Sequence, residues 1–112
     1  MTPEALEALK ASILKWDKNA AAETPEDYKT GVRECPLCKV FYGDIFDGKN
    51  RCLGCPVAEK TGLIHCTGTP YGDAEDAHEE WEISDGLGGP ARAAAREEAA
   101  FLRSLLPDGE TA

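Results

Sequence analysis

Five cysteines lie within residues 35–66, and their spacing is typical of a metal site. Cys35 and Cys38 form one Cys-x-x-Cys pair, thirteen residues separate it from the pair Cys52 and Cys55, and Cys66 follows after ten more. Each pair can place two sulfurs on one side of an ion, so that four thiolates surround it. A closed tetrahedral set of four sulfurs suits structural zinc and leaves no open position for catalysis. The sequence therefore predicts one Zn²⁺ per chain.

The fifth cysteine leaves the ligand set open. Any four of the five cysteines would complete the site, and Cys66 can replace either member of the second pair. An iron–sulfur cluster is the alternative, because cysteine thiolates also hold its irons. The spacing lacks the compact three-cysteine run of bacterial ferredoxins, so zinc is the preferred hypothesis. The predicted metal ligands are drawn from Cys35, Cys38, Cys52, Cys55 and Cys66.

The N-terminal residues predict a cytoplasmic protein. Residues 1–5 contain neither a basic region nor an apolar stretch, so we expect no secretory signal. No run approaches the roughly eighteen apolar residues of a membrane-spanning helix. Cytoplasmic thiols are kept reduced, which favours metal ligation over disulfide bonds.

The net charge of −9 is concentrated at the C-terminal end. Residues 1–32 carry a net charge of −2, residues 33–66 carry +1, and residues 67–112 carry −8 from eleven acids and three bases. Nucleic-acid binding depends largely on neutralising phosphates, so this balance disfavours it and favours a protein partner with a basic surface. The acidic stretch 73–85 and the helix predicted at 90–106 are the candidate surface.

A nucleic-acid-binding module remains an alternative for the cysteine region. Basic side chains surround the cysteines, and three aromatic rings between them could stack on bases. The basic residues are Arg33, Lys39, Lys49, Arg51 and Lys60, and the aromatic residues are Phe41, Tyr42 and Phe46.

The chain carries no catalytic motif. We find no phosphate-binding glycine loop, no nucleophile elbow and no His-Glu-x-x-His sequence. His78, Glu79 and Glu80 beside Asp76 are interpreted as a solvated acidic face rather than as a second metal site. The sequence therefore predicts a non-enzymatic binding protein.

Two helices are predicted to flank the cysteine module. Thr2 and Pro3 form a helix start, and apolar residues follow at helical spacing to Trp16, which predicts a helix from residue 3 to about residue 20. Pro90 opens a second helix at 90–106, which Pro107 terminates. The segment 19–30 has no sustained period and is predicted to be a linker.

Residues 33–72 are predicted to form a zinc-ribbon-like module. The segments 40–42 and 45–46 are β-prone, and Asp47-Gly48 is typical of a tight turn between two strands. The expected fold is a single domain of the α+β class, mostly α. Its N- and C-terminal helices pack on the central cysteine-rich module.

Several motifs together resemble a group of small cysteine-rich proteins predicted in tailed-phage genomes and prophages. The motifs are Cys35-Pro-Leu-Cys38, Cys52-x-Gly-Cys55-Pro-Val57, Cys66-x-Gly-Thr-Pro-Tyr71 and Phe101-Leu-x-x-Leu105-Leu-Pro107. The resemblance implies a small phage-type protein that acts in the cytoplasm of a bacterial host, with a host or phage protein as its partner. It implies no activity. It also implies that Cys66 belongs to the motif.

Overall fold

Four α-helices and one 3₁₀ turn form the part of the chain that the computed structural model describes, which is residues 2–30, 36–37, 55–61, 69–84 and 88–112. Pro36 and Leu37 are also helical. Helix α4 packs against both α1 and α3, so it is the central helix of the described core. The helices are α1 (Pro3–Ala20), α2 (Pro56–Thr61), α3 (Pro70–Ser84) and α4 (Gly89–Arg103), and the 3₁₀ turn is Pro25–Asp27.

The prediction of an α+β fold is wrong. Every regular element in the described ranges is helical, and these ranges contain no strand. The physical reason is that the buried apolar residues recur at helical spacing on α1, α3 and α4, so that helices bury one another without a sheet. The β-prone segments 40–42 and 45–46 of the expected zinc-ribbon-like hairpin lie outside the described residues.

Helix α1 has the bounds that its sequence predicts. The Thr2 hydroxyl accepts a hydrogen bond from the amide of Ala5 at 3.1 Å, and Pro3 occupies the first turn, where its missing N–H costs nothing. Leu9, Ile13 and Trp16 are buried along one side of the helix. This stripe is the contribution of α1 to the core.

Helix α4 approaches its neighbours closely because most of its buried residues are alanines. Small side chains let two helix backbones come together, and Leu102 closes the C-terminal end of the interface. The helix ends at Arg103, three residues before the predicted end at 106. Ser104 and Leu105 form short turns instead, and Pro107 disfavours a helical conformation for the residue before it. The buried alanines are Ala91, Ala94, Ala95 and Ala99.

The segment 19–30 is more than the predicted linker, because it carries the most connected side chain of the core. Tyr28 is 2% exposed, and its hydroxyl donates a hydrogen bond to the carbonyl of Ala91 on α4 at 2.8 Å. Its ring meets Trp16 and Trp81 edge-on, with centroids 5.9 and 6.3 Å apart. Tyr28 therefore joins α1, α3 and α4 at one point.

A side-chain clamp holds this segment against the end of α1. The Asn19 amide donates to the carbonyl of Lys29 and accepts from its N–H, and both distances are 2.9 Å. Asn19 is buried, so it satisfies two backbone groups that would otherwise lack partners away from water. The clamp fixes Tyr28, one residue earlier, in its place between the helices.

A glycine at the start of α4 lies against a tryptophan of α3. Gly88 is buried at the start of α4, and a Cβ added there would lie 2.5 Å from a ring carbon of Trp81. The same Cβ would lie 2.6 Å from the guanidinium of Arg92, which sits over the Trp81 ring at 5.6 Å. A larger residue at this position would have to displace the indole or the guanidinium.

We expect Gly88→Ala to lower the free energy of unfolding by about 1–3 kcal/mol, because the added methyl group overpacks the Trp81 contact. Gly89→Ala is the matched control, since a Cβ at Gly89 meets nothing within 4 Å and alanine favours helix. Urea unfolding followed by tryptophan fluorescence compares the two variants. Equal stabilities of the two variants would contradict the close contact between Gly88 and Trp81.

Candidate functional site

Only one of the five predicted metal ligands lies in the described part of the chain. Cys55 is 6% exposed and directly precedes α2. Cys35, Cys38, Cys52 and Cys66 lie outside the described residues. Within the described residues, no group of three or more His, Cys, Asp or Glu side chains is placed to hold a metal ion. The ligand set therefore stays a prediction.

Both Cys-x-x-Cys motifs have a residue in the helical core. Leu37, from the first motif, and Cys55, from the second, belong to one buried cluster that also includes Val57. A sulfur enclosed by apolar side chains suits a closed structural site and is poorly placed for a reaction with a substrate. The described residues of the motifs thus include one buried thiol, which is consistent with a structural role for Cys55.

Helix α3 has one buried and one solvated side. Ala74 and Trp81 face the core. On the opposite side, Asp76, Glu79 and Ile83 follow one another at spacings of three and four residues, and all three are exposed. We call these three residues the α3 outer row. Ile83 is 77% exposed, which leaves an apolar side chain in water within an acidic surface.

Helix α3 is strongly negative in its own sequence. The helix contains six acids and neither lysine nor arginine. Glu75 accepts a hydrogen bond from the Tyr71 hydroxyl at 3.0 Å, and Glu82 lies 3.0 Å from a ring nitrogen of His78. Among the described residues, no basic side chain forms an ion pair with either acid of the α3 outer row. The six acids are Asp73, Glu75, Asp76, Glu79, Glu80 and Glu82.

His78 does not belong to the solvated acidic face on which the sequence interpretation placed it. Its ring stacks on Tyr28 with a centroid distance of 4.8 Å and an interplanar angle of 25°. Its Nε2 lies 2.8 Å from the carbonyl of Pro25, and its Nδ1 lies 3.5 Å from the Thr30 hydroxyl. His78 therefore ties α3 to the segment 25–30, which is a role in the fold.

A groove on the outer side of α1 brings several lysines together. Its volume is about 460 Å³, and α1 and the segment 27–29 form its walls. Leu14 is 50% exposed there, and the ammonium of Lys15 lies 4.7 Å from the Trp16 ring. The lysines are distributed over two elements, so no pattern in the sequence indicates this site. We call it the lysine groove, and it is lined by Ala11, Leu14, Lys15, Lys18, Asn19, Asp27 and Lys29.

Helix α4 offers less surface than the sequence predicted for the helix at 90–106. Arg103 forms two hydrogen bonds with Asp17 of α1, at 2.9 and 2.6 Å, and this pairing raises the pKa of the guanidinium. Arg92 donates to the carbonyl of Ala22 at 3.2 Å. Two of the three arginines of α4 thus connect α4 to α1 and to the segment that follows α1. The exposed candidate surface is therefore that of α3.

Comparisons with protein-family models, with curated proteins and with solved structures give no match to this chain. The resemblance to phage proteins therefore stays a prediction. Among the helices of the described residues, none has the length and apolar composition needed to cross a membrane.

Tyr28 provides a prediction for alkaline pH. Burial raises the pKa of its hydroxyl above the usual value near 10, and the nearby charge of Glu98 raises it further. A raised pKa in the folded state stabilises the fold below about pH 10, and this stabilisation is lost as the pH rises further. We expect Tyr28→Phe to cost about 1 kcal/mol at neutral pH, because the hydrogen bond to Ala91 is lost.

The same variant should lose stability less steeply above about pH 10, since it has no hydroxyl to ionise at this position. Urea unfolding at about pH 7, 9 and 11 measures both effects. Tyr71→Phe is the matched control, because the Tyr71 hydroxyl bonds to an exposed carboxylate. A decline of stability that is identical in the wild-type chain and in Tyr28→Phe would contradict this assignment.

Proposed function

We propose that this chain is a small phage-type protein that binds another protein, without catalysis, in the cytoplasm of a bacterial host. It would act as an adaptor or as an inhibitor, and bound zinc would stabilise it. The observation that carries the proposal is the α3 outer row, in which two acids and a largely exposed isoleucine lie along one helix face. The proposed partner is a host or phage protein with a basic surface.

The chemistry of the α3 outer row supports a protein partner. Exposed acids attract a basic surface over several ångströms and orient it, while an apolar side chain that becomes buried on contact supplies affinity. Recognition of one exposed helix face by a groove is a common mode of protein binding. The α3 outer row has these elements, with Ile83 as the anchor and Asp76 and Glu79 beside it.

The rigidity of α3 also supports binding at this face. Trp81 is buried against Tyr28, and His78 contacts the segment 25–30 through both of its ring nitrogens. A helix that is held on its inner side presents its outer residues in a fixed arrangement. Binding to such a surface loses little conformational freedom, which favours affinity.

The proposed zinc would be held by four of the five cysteines and would have a structural role. When bound, it would supply four strong cross-links between the two Cys-x-x-Cys motifs. Leu37 and Cys55 connect these motifs to the core, so we expect loss of the metal to destabilise the helices as well. This coupling is the reason to test zinc through stability.

Metal analysis of protein purified without oxygen should give about one zinc per chain and no visible colour. A strong chelator should then lower the thermal unfolding temperature, because metal binding is coupled to folding. The double variant Cys35→Ala with Cys38→Ala should contain no zinc and should not respond to the chelator. A brown protein that contains iron and sulfide would contradict the zinc prediction and support the iron–sulfur cluster.

Charge reversal of four exposed acids on α3 tests the proposed binding surface. This variant, which we call the face variant, changes Asp73, Asp76, Glu79 and Glu80 to lysine. We expect it to lose at least tenfold in affinity for a partner captured from a host or infected-cell lysate, because four exposed charge pairs at about 0.5 kcal/mol each are worth about 2 kcal/mol.

A control variant distinguishes the effect of this surface from the effect of net charge. It changes four exposed acids elsewhere to lysine, namely Glu7, Glu23, Glu26 and Glu97, and so changes the net charge by the same amount. Circular dichroism verifies that both variants are folded. A partner that binds the wild-type and control chains, but not the face variant, would support the proposal. Equal binding of every captured partner to all three chains would eliminate it.

A further inference from the structure

The described part of the chain has two surfaces of opposite charge, and each contains a large exposed apolar residue. The lysine groove contains Leu14 and the exposed lysines Lys18 and Lys29, and the α3 outer row contains Ile83 and two acids. Leu14 and Ile83 are the large apolar side chains that are exposed among the described residues. The proposed function uses the α3 outer row and leaves the lysine groove without a role.

We infer that the chain associates with a second copy of itself, with the α3 outer row of one copy seated in the lysine groove of the next. In this contact Ile83 packs against Leu14, and Asp76 and Glu79 lie beside the lysines of the groove. Charge complementarity and burial of the two exposed apolar side chains both favour this pairing.

The lengths of the two surfaces match. From Asp76 to Ile83 the α3 outer row covers eight residues, a rise of about 10 Å along the helix. From Ala11 to Lys18 the α1 wall of the groove also covers eight residues and rises about 10 Å. Each surface therefore covers about two helical turns.

The charged side chains on and near the groove differ in their availability for such a contact. Lys10 is paired with Glu110 at 2.7 Å, and Asp17 is paired with Arg103. Lys18 and Lys29 are exposed at the groove, and Asp27 is the acid among the described residues that line it. The Thr24 hydroxyl donates a hydrogen bond to the Asp27 carboxylate at 3.0 Å. Among the described residues of the groove, the two exposed lysines thus outnumber the one acid.

The net charge of −9 opposes association, but this repulsion is long-range. At physiological ionic strength, exposed charges more than about 8 Å apart are largely screened, whereas charges in contact are screened less. Local complementarity therefore outweighs the overall repulsion. The contact joins two different surfaces, so repetition adds further copies in a chain or closes a ring.

Two variants with one defective surface each test the inference. The groove variant carries Leu14→Ser with Lys18→Gln, and the row variant carries Ile83→Ser with Glu79→Gln. All four positions are exposed, so both variants should fold, which circular dichroism verifies. Glu97→Gln, at an exposed position on α4, is the matched control. Sedimentation velocity from micromolar to millimolar protein, at one fixed ionic strength, measures the mass.

We expect the mass of the wild-type chain and of Glu97→Gln to rise with concentration, while each defective variant stays monomeric. An equimolar mixture of the two defective variants should form a one-to-one dimer and nothing larger, because the mixture retains one intact surface of each kind. A wild-type chain that remains monomeric at every concentration would overturn the inference. Association that persists in both variants, or no dimer in their mixture, would overturn it as well.

This inference does not depend on the proposed partner, and the two fail in different ways. The groove variant retains the entire acidic face of α3. If it captures a partner while the wild-type chain is monomeric, the proposed function holds and self-association is excluded. If the mixture forms the dimer while no partner distinguishes the face variant from its control, self-association holds and the proposed function fails.

Discussion

The described fold depends on the burial of one tyrosine that belongs to none of its α-helices. Tyr28 lies where α1, α3 and α4 meet, with its ring against Trp16 and Trp81 and its hydroxyl on the carbonyl of Ala91. Helix α4 contributes mostly alanines and one leucine to the core, so its own side chains bury little area at this junction. A large aromatic side chain fills the space, and its one polar atom forms a hydrogen bond within the core. The position of α3 relative to α4 follows from this contact.

The same contact divides α3 into a core-facing side and a solvated side. Stacking on Tyr28 draws His78 inward, and the burial of Trp81 fixes the rotation of the helix about its axis. Once that rotation is fixed, the 3.6-residue period places Asp76, Glu79 and Ile83 on the solvated side. The acidic surface is therefore set by the aromatic contacts on the opposite side of the helix. This explains why a strongly acidic helix has a stable place on a small core.

The sequence predicted the elements whose signals are local and missed those that depend on tertiary contacts. The cap at Thr2, the proline at position 3 and the apolar stripe to Trp16 are local, and α1 has the expected bounds. Tyr28 stands alone in a segment without periodicity, so no pattern could show that three helices meet on it. The lysine groove is formed by residues of two separate elements, and its charge becomes visible only when the segment 27–29 lies beside α1. Residues 70–72, which the sequence assigned to the cysteine-rich module, are helical because Pro70 suits a first turn.

The two proposed contacts would share one acidic row, which has a consequence for regulation. If both form, the α3 outer row cannot lie in the lysine groove of a second copy and on a partner at the same time, so the two contacts would compete for Ile83. A partner that binds more tightly than a second copy would dissociate the assembly, and a high concentration of the chain would reduce the fraction available to the partner. This competition would need no conformational change, because the contacts of Tyr28 already fix the arrangement of the row. The tyrosine at the centre of the fold thus orients the surface on which both proposals depend.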